Sequence, residues 1–174
     1  MNKTLLLPAV LVVALAGCAS WWGDKQGAVA TLSPTQGSTT SGIVKFEQRG
    51  SSVLVAGEVR GLPGSGENGF HIHEKGDCSS PDGSSAGGHW NPTRQPHGMI
   101  GSSPHHTGDL ASLKPDANGV AHFSFLVENA TIGGGGPNDI LGKGVVVHRD
   151  RDDFTSQPAG NSGPRLACGP ILRT

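Results

Sequence analysis

The sequence predicts an all-β domain. Three observations carry that expectation: 28 glycines and 12 prolines in 174 residues, a hydrophobic share of only 34%, and short runs in which apolar and polar side chains alternate. At 17.8 kDa the chain is long enough for one domain with a substantial core, and helix is expected to be scarce. Strand-like runs fall at 28–32, 42–48, 53–61, 70–73, 120–127, 144–148 and 166–172. In the second, Val44 and Phe46 alternate with Lys45 and Glu47. In the fifth, Ala121, Phe123, Phe125 and Val127 alternate with His122 and Ser124, the period of antiparallel strands buried on one face.

Two long stretches, 74–118 and 149–165, interrupt these strands and are dense in Gly, Pro, Ser, Asp and Asn. Structureless loops of that length are uncommon in compact domains unless they are functional. The glycines at 133–136, followed by Pro137, mark a further turn and lack the lysine of a phosphate-binding loop.

The first residues read as a targeting signal. Lys3 gives a positive start, 5–15 an apolar run too short to span a bilayer, and Leu15-Ala16-Gly17-Cys18 a small-residue cleavage site ending in cysteine. This segment resembles a bacterial lipoprotein signal. It predicts removal of 1–17, lipid on Cys18, a tether over 18–27 and a domain over 28–174; the alternative is an ordinary secretory signal with an incidental cysteine. Ala19, in place of the aspartate that retains enteric-type lipoproteins at the inner membrane, favours the outer membrane. Trp21 and Trp22 in the tether fit either the membrane interface or packing on the domain. With Lys3 gone, 12 basic residues face 14 acidic ones, which leaves no positive field for nucleic acid. Cys78 and Cys168 remain as a pair in an exported chain, and a disulfide is the natural reading. It would close a loop of about 90 residues, worth about 4 kcal/mol in the chain-entropy model.

The chemistry lies in the histidines. His71 and His73 flank Ile72 in a strand-like run, so both imidazoles share one face of the sheet. His148 ends the apolar run 144–147 and adds a third nitrogen, with His89 a fourth, a set that suits copper. His89, His97, His106 and Asp109 form a second set, three nitrogens and a carboxylate, suited to closed tetrahedral zinc. His89 belongs to both sets, and Asp152 is a candidate partner for the ligand imidazoles. His105 and His122 are expected at the surface.

From Gly42 onward the segments GFHIHEKGDC, SAGGHWNP, HHTGDL, VVVH and GNSGPRLACG resemble the copper/zinc superoxide dismutases of the bacterial exported kind. The resemblance implies a Greek-key, eight-stranded β-barrel or flattened immunoglobulin-like sandwich with two long metal-site loops. It implies copper on His71, His73, His89 and His148, zinc on His89, His97, His106 and Asp109, and a link from Asp152 to His71 and His97. It also implies a Cys78–Cys168 disulfide and places Arg165 over a substrate channel. The implied activity is ping-pong dismutation of superoxide to O2 and hydrogen peroxide, with Arg165 and His89 as catalytic residues, protecting the cell envelope. The competing class is a catalytically silent periplasmic copper/zinc-binding or metal-buffering protein. A homodimer is left open, since relatives pair through different barrel faces. The chain departs from many eukaryotic members in its shorter loop over 149–164, where Pro158 and Ala159 replace a threonine and a lysine upstream of the arginine.

Overall fold

A computed structural model describes residues 26–63 and 66–174. Cys18, Trp21 and Trp22, and with them the signal and lipid-anchor expectations, lie outside the described residues. Eight strands form: β1 (Gly27–Pro34), β2 (Ser41–Arg49), β3 (Ser52–Arg60), β4 (Phe70–His73), β5 (Ala121–Glu128), β6 (Gly144–His148), β7 (Arg165–Pro170) and β8 (Leu172–Arg173). The only helical element among the described residues is a single 3-10 turn at Ser84–Ala86.

The strands hydrogen-bond in the order β4-β6-β7-β1-β2-β3-β5, every pairing antiparallel. Because β4 crosses over to lie beside β6 and β7 returns beside β1, the connectivity is Greek-key and the sheet curls into a barrel. Alternation sets the core. Ala28, Ala30 and Leu32 of β1, Val44 and Phe46 of β2, and Val53, Val55 and Val59 of β3 all point inward and are buried. Phe70 of β4 closes the space opposite β5, with its ring edge-on to Phe123 at a centroid distance of 5.0 Å.

The sequence reads 166–172 as one run, and the structure divides it. Pro170 ends β7, Ile171 turns inward and is buried, and Leu172 and Arg173 leave to pair with Val29 and Ala28 of β1. Proline lacks the N–H that would continue the ladder, so the chain changes partners there.

Both long stretches are ordered loops. Cys78 and Cys168 are joined by a disulfide with Cα atoms 5.7 Å apart, which clamps the first loop to β7. The two loops are also stitched to each other: the backbone N–H of His97 donates to Gln157 Oε1 at 2.9 Å, and Gln157 Nε2 donates back to the His97 carbonyl at 3.0 Å.

Candidate metal centre

The site is assembled on β4. His71, Ile72 and His73 are all fully buried, with the two imidazoles on one face and Ile72 in the core. Ile72 also recruits the loop ligands through its backbone. Its N–H donates to the Gly108 carbonyl at 2.9 Å, its carbonyl accepts from Trp90 N at 2.8 Å, and Gly108 N donates to the Trp90 carbonyl at 2.9 Å. His89 and Asp109 are the neighbours of these residues and are thereby pinned opposite His73 and His71. A Cβ on Gly108 would collide with the Ile72 carbonyl, so only glycine allows the approach.

The expected ligands converge in two groups, His71, His73, His89 and His148, and His89, His97, His106 and Asp109, with the ligand atoms of each group within 4.8 Å of one another. All seven residues are buried. In four imidazoles the nitrogen turned away from the first group is already committed. His73 Nδ1 donates to the Gly87 carbonyl at 2.9 Å and His148 Nδ1 to the Gly163 carbonyl at 3.1 Å. His71 Nε2 donates to Asp152 Oδ2 at 2.6 Å, and His89 Nδ1 to Asp109 Oδ1 at 2.8 Å. Carbonyls and carboxylates only accept, so these contacts place the proton and leave a lone pair on His71 Nδ1 and on Nε2 of His73, His89 and His148.

That arrangement fits a metal. Buried His71 Nδ1 and His89 Nε2 have no hydrogen-bond partner, a costly state for polar atoms unless a cation takes up their lone pairs. His73 Nε2 and His148 Nε2 face each other at 3.3 Å. Burial lowers the pKa of His71 to about 4, against the opposing pull of Asp152, and drives His73 and His148 well below the usual histidine value. His89 is also lowered, chiefly by burial. At neutral pH this group offers four uncharged nitrogen donors.

The second group is electrostatically different. Nδ1 atoms of His89, His97 and His106 stand 2.8, 2.9 and 3.2 Å from the single oxygen Asp109 Oδ1, while Asp109 Oδ2 accepts the backbone N–H of Gly98 and of His106. Burial works to raise the Asp109 pKa, yet the imidazole and backbone hydrogen bonds outweigh it and hold the carboxylate ionised. Burial likewise opposes charge on His97, but hydrogen bonds to Asp109 and Asp152 win and raise it to about 9. A proton on His97 Nδ1 occupies the position that a bound cation would take.

Asp152, fully buried, joins the two groups: Oδ2 accepts from His71 and Oδ1 from His97 Nε2 at 2.9 Å. Gly160 packs directly on this carboxylate, where a Cβ would overlap Asp152 Oδ1 and His97 Nε2, and its φ of 64° favours glycine as well. Arg165 opens β7 and is half-buried. It donates from Nη1 to the Gly83 carbonyl at 2.5 Å and from Nη2 to the Gly87 carbonyl at 2.6 Å. Gly87 therefore holds Arg165 and His73 through one oxygen. An open groove beside the guanidinium is lined by Thr35, Asp82, Ser84 and Pro164.

Sequence reasoning found every member of both groups and missed their supports. Gly87, Gly163 and Gln157 act through backbone or amide contacts between distant segments and carry no motif. His122 is exposed as expected. His105 is half-buried instead, because its Nδ1 donates to the His106 carbonyl at 2.7 Å and folds the ring onto its neighbour.

Comparison with known proteins agrees with the geometry. Residues 40–171 match the family model of copper/zinc superoxide dismutase (SODC). The chain is 41% identical to a Cu-Zn superoxide dismutase of Saccharomyces cerevisiae over 152 residues, covering 83% of this chain and 96% of the relative. It is 42% identical over 137 residues to an extracellular Cu-Zn superoxide dismutase of Schistosoma mansoni, covering 75% and 72%. Among solved structures, the clock protein EA4 superposes with a TM-score of 0.75 at 35% identity, covering 87% of this chain and 96% of that one. The chain belongs to the copper/zinc superoxide dismutase family.

Proposed function

We propose that this protein dismutates superoxide, converting two superoxide anions and two protons to O2 and hydrogen peroxide, outside the cytoplasm. The observation that carries the reading is the double commitment of His89. Its Nδ1 lies against Asp109 while its Nε2, buried and unpartnered, belongs to the four-histidine group, so one imidazole can serve two cations at once. Copper held by His71, His73, His89 and His148 supplies the one-electron redox chemistry, and zinc held by His89, His97, His106 and Asp109 supplies a constant positive charge.

The remaining work falls to the chain. His89 Nε2 is the atom that takes up a proton in one half of the cycle and hands it to the departing peroxide in the other. Asp152 fixes the orientation of His71 and His97 together, so the two sides cannot drift apart. Arg165 presents a fixed positive charge, held by two carbonyls, to attract and orient a small anion.

The setting is read from the N-terminal segment: 1–17 removed as a signal, lipid on Cys18, a tether that ends one residue earlier than the sequence suggests because Gly27 already pairs with Glu47 in β1, and the domain from there to Thr174 in the periplasm on the outer membrane. The Cys78–Cys168 disulfide suits that oxidising compartment. A homodimer is compatible with this arrangement. Cys18→Ser should release the protein from the membrane fraction, and unchanged fractionation would remove the anchor from the account. The activity is tested by loading the protein with copper and zinc and measuring superoxide decay alongside metal content. Full loading with no dismutation would leave a metal-buffering protein.

A further inference from the structure

We propose that the tether residues Trp21 and Trp22 dock into an apolar groove on the outer face of the β1-β2-β3 sheet, fastening the N-terminal segment to the barrel on the side away from the metal centre. The groove has a volume of about 440 Å³ and is lined by Val29, Leu54, Ala56 and Thr174, with Lys45 and Glu47 at its rim. Register places these residues on one face, since Val29 pairs with Lys45, Lys45 with Ala56, and Glu47 with Leu54. Two exposed leucines extend the apolar surface at either side, Leu172 (58% exposed) beside Val29 and Leu126 (51% exposed) beside Leu54. Farther along the same face the next cross-strand row carries an exposed Ile43 between the polar Thr31 and Glu58, with His122 beyond. None of the groove residues is a metal-site residue.

Four features point to the tether as the occupant. The described chain enters the sheet at this end: the Gln26 carbonyl accepts from Gln48 N at 3.0 Å, and Gly27 pairs with Glu47. Length is suitable, because the four peptide steps from Gln26 back to Trp22 span at most about 14 Å when extended, and the fifth, to Trp21, brings that to about 18 Å, which keeps both indoles within reach of Val29 and Leu54. Gly23 follows Trp22 and lets the backbone fold back. Trp21 and Trp22 are the only large apolar side chains in 19–25, and Asp24 complements Lys45 on the rim. Each indole can bury about 150–250 Å². Docking does not depend on lipid at Cys18. If that lipid is present, docking leaves only 18–20 free and turns the groove side toward the membrane and the metal centre outward.

The chain has three tryptophans. Trp90 is 3% exposed and supplies a constant protected signal. Acrylamide quenching of the intact protein should find all three protected, and Ala56→Glu should make the two tether indoles severalfold more quenchable. The new carboxylate lies opposite Lys45, so the barrel keeps its fold and its zinc. A second variant avoids the barrel altogether: replacing Trp21 and Trp22 with serine should uncover the groove and raise binding of the apolar dye ANS severalfold. Indoles that quench freely in the intact chain would overturn the proposal. So would protection untouched by Ala56→Glu, protection that appears only as protein concentration rises, as for a second copy, or protection that requires added phospholipid vesicles.

Discussion

The two halves of the metal centre are built from the same residue type and differ in charge. In the four-histidine half every ligand atom is an imidazole nitrogen, and burial keeps the rings neutral. In the other half three imidazoles crowd one buried aspartate oxygen, and His97 is driven toward the charged form. A pocket without a fixed anion accommodates an ion whose charge changes by one, whereas a pocket closed by a carboxylate holds an ion of constant charge. On the assignment proposed above, a redox site and a structural site share His89, and the surrounding charges, not the shared ring, distinguish them.

That contrast can be broken one side at a time. The largest effect should come from His148→Ala, which removes a ligand from the neutral half only: dismutation should be abolished while zinc stays bound, as activity and metal analysis of the same sample would show. Retained activity, or loss of both metals, would erase the distinction. Asp152→Asn acts across the divide and should weaken both halves, by about 10–100-fold in metal affinity or activity. Asp109→Asn should instead lower zinc occupancy first.

The disulfide anchors the loop whose Gly83 and Gly87 carbonyls hold Arg165. Replacing Cys78 and Cys168 with serine should cost up to about 4 kcal/mol in denaturant unfolding. Acidity separates the halves in the metal-free protein. His71, lowered to about 4, and His73 and His148, also lowered well below the usual histidine value, take up protons in the unfolded chain before the folded one. Their contribution is complete above about pH 6.5 and is lost as pH falls toward 4. His97, raised to about 9, contributes with the opposite sign: fully below about pH 6.5, and lost as pH rises through 9. Unfolding midpoints should therefore drop on the acid side through three groups and on the alkaline side through one. The smallest effect concerns the entrance: turnover should decline with ionic strength, and Arg165→Gln should flatten the decline. An equally steep salt profile in the variant would move steering elsewhere.

Strand positions and the side chains that converge in the two groups were legible in the sequence because each leaves a local mark. The His-x-His pair follows from the period of a strand, and the alternation in 120–127 appears unchanged in the burial of β5. The supports were illegible because they act between distant segments. Nothing local to Gly108 announces that the Ile72 carbonyl will pass against it, nor to Gly160 that the Asp152 carboxylate will. The Ile171 turn depends on the chain finding β1, and His105 on a carbonyl that only the folded loop presents.

The central claim is that His89 serves two ions through its two nitrogens. Electron paramagnetic resonance of the protein loaded with Cu(II) in both groups tests it most directly. A single bridging imidazole should couple the two spins and suppress the signal of the four-histidine site, with the signal returning when zinc replaces copper in the Asp109 group. Two independent, full-intensity copper signals in the doubly loaded protein would contradict the account.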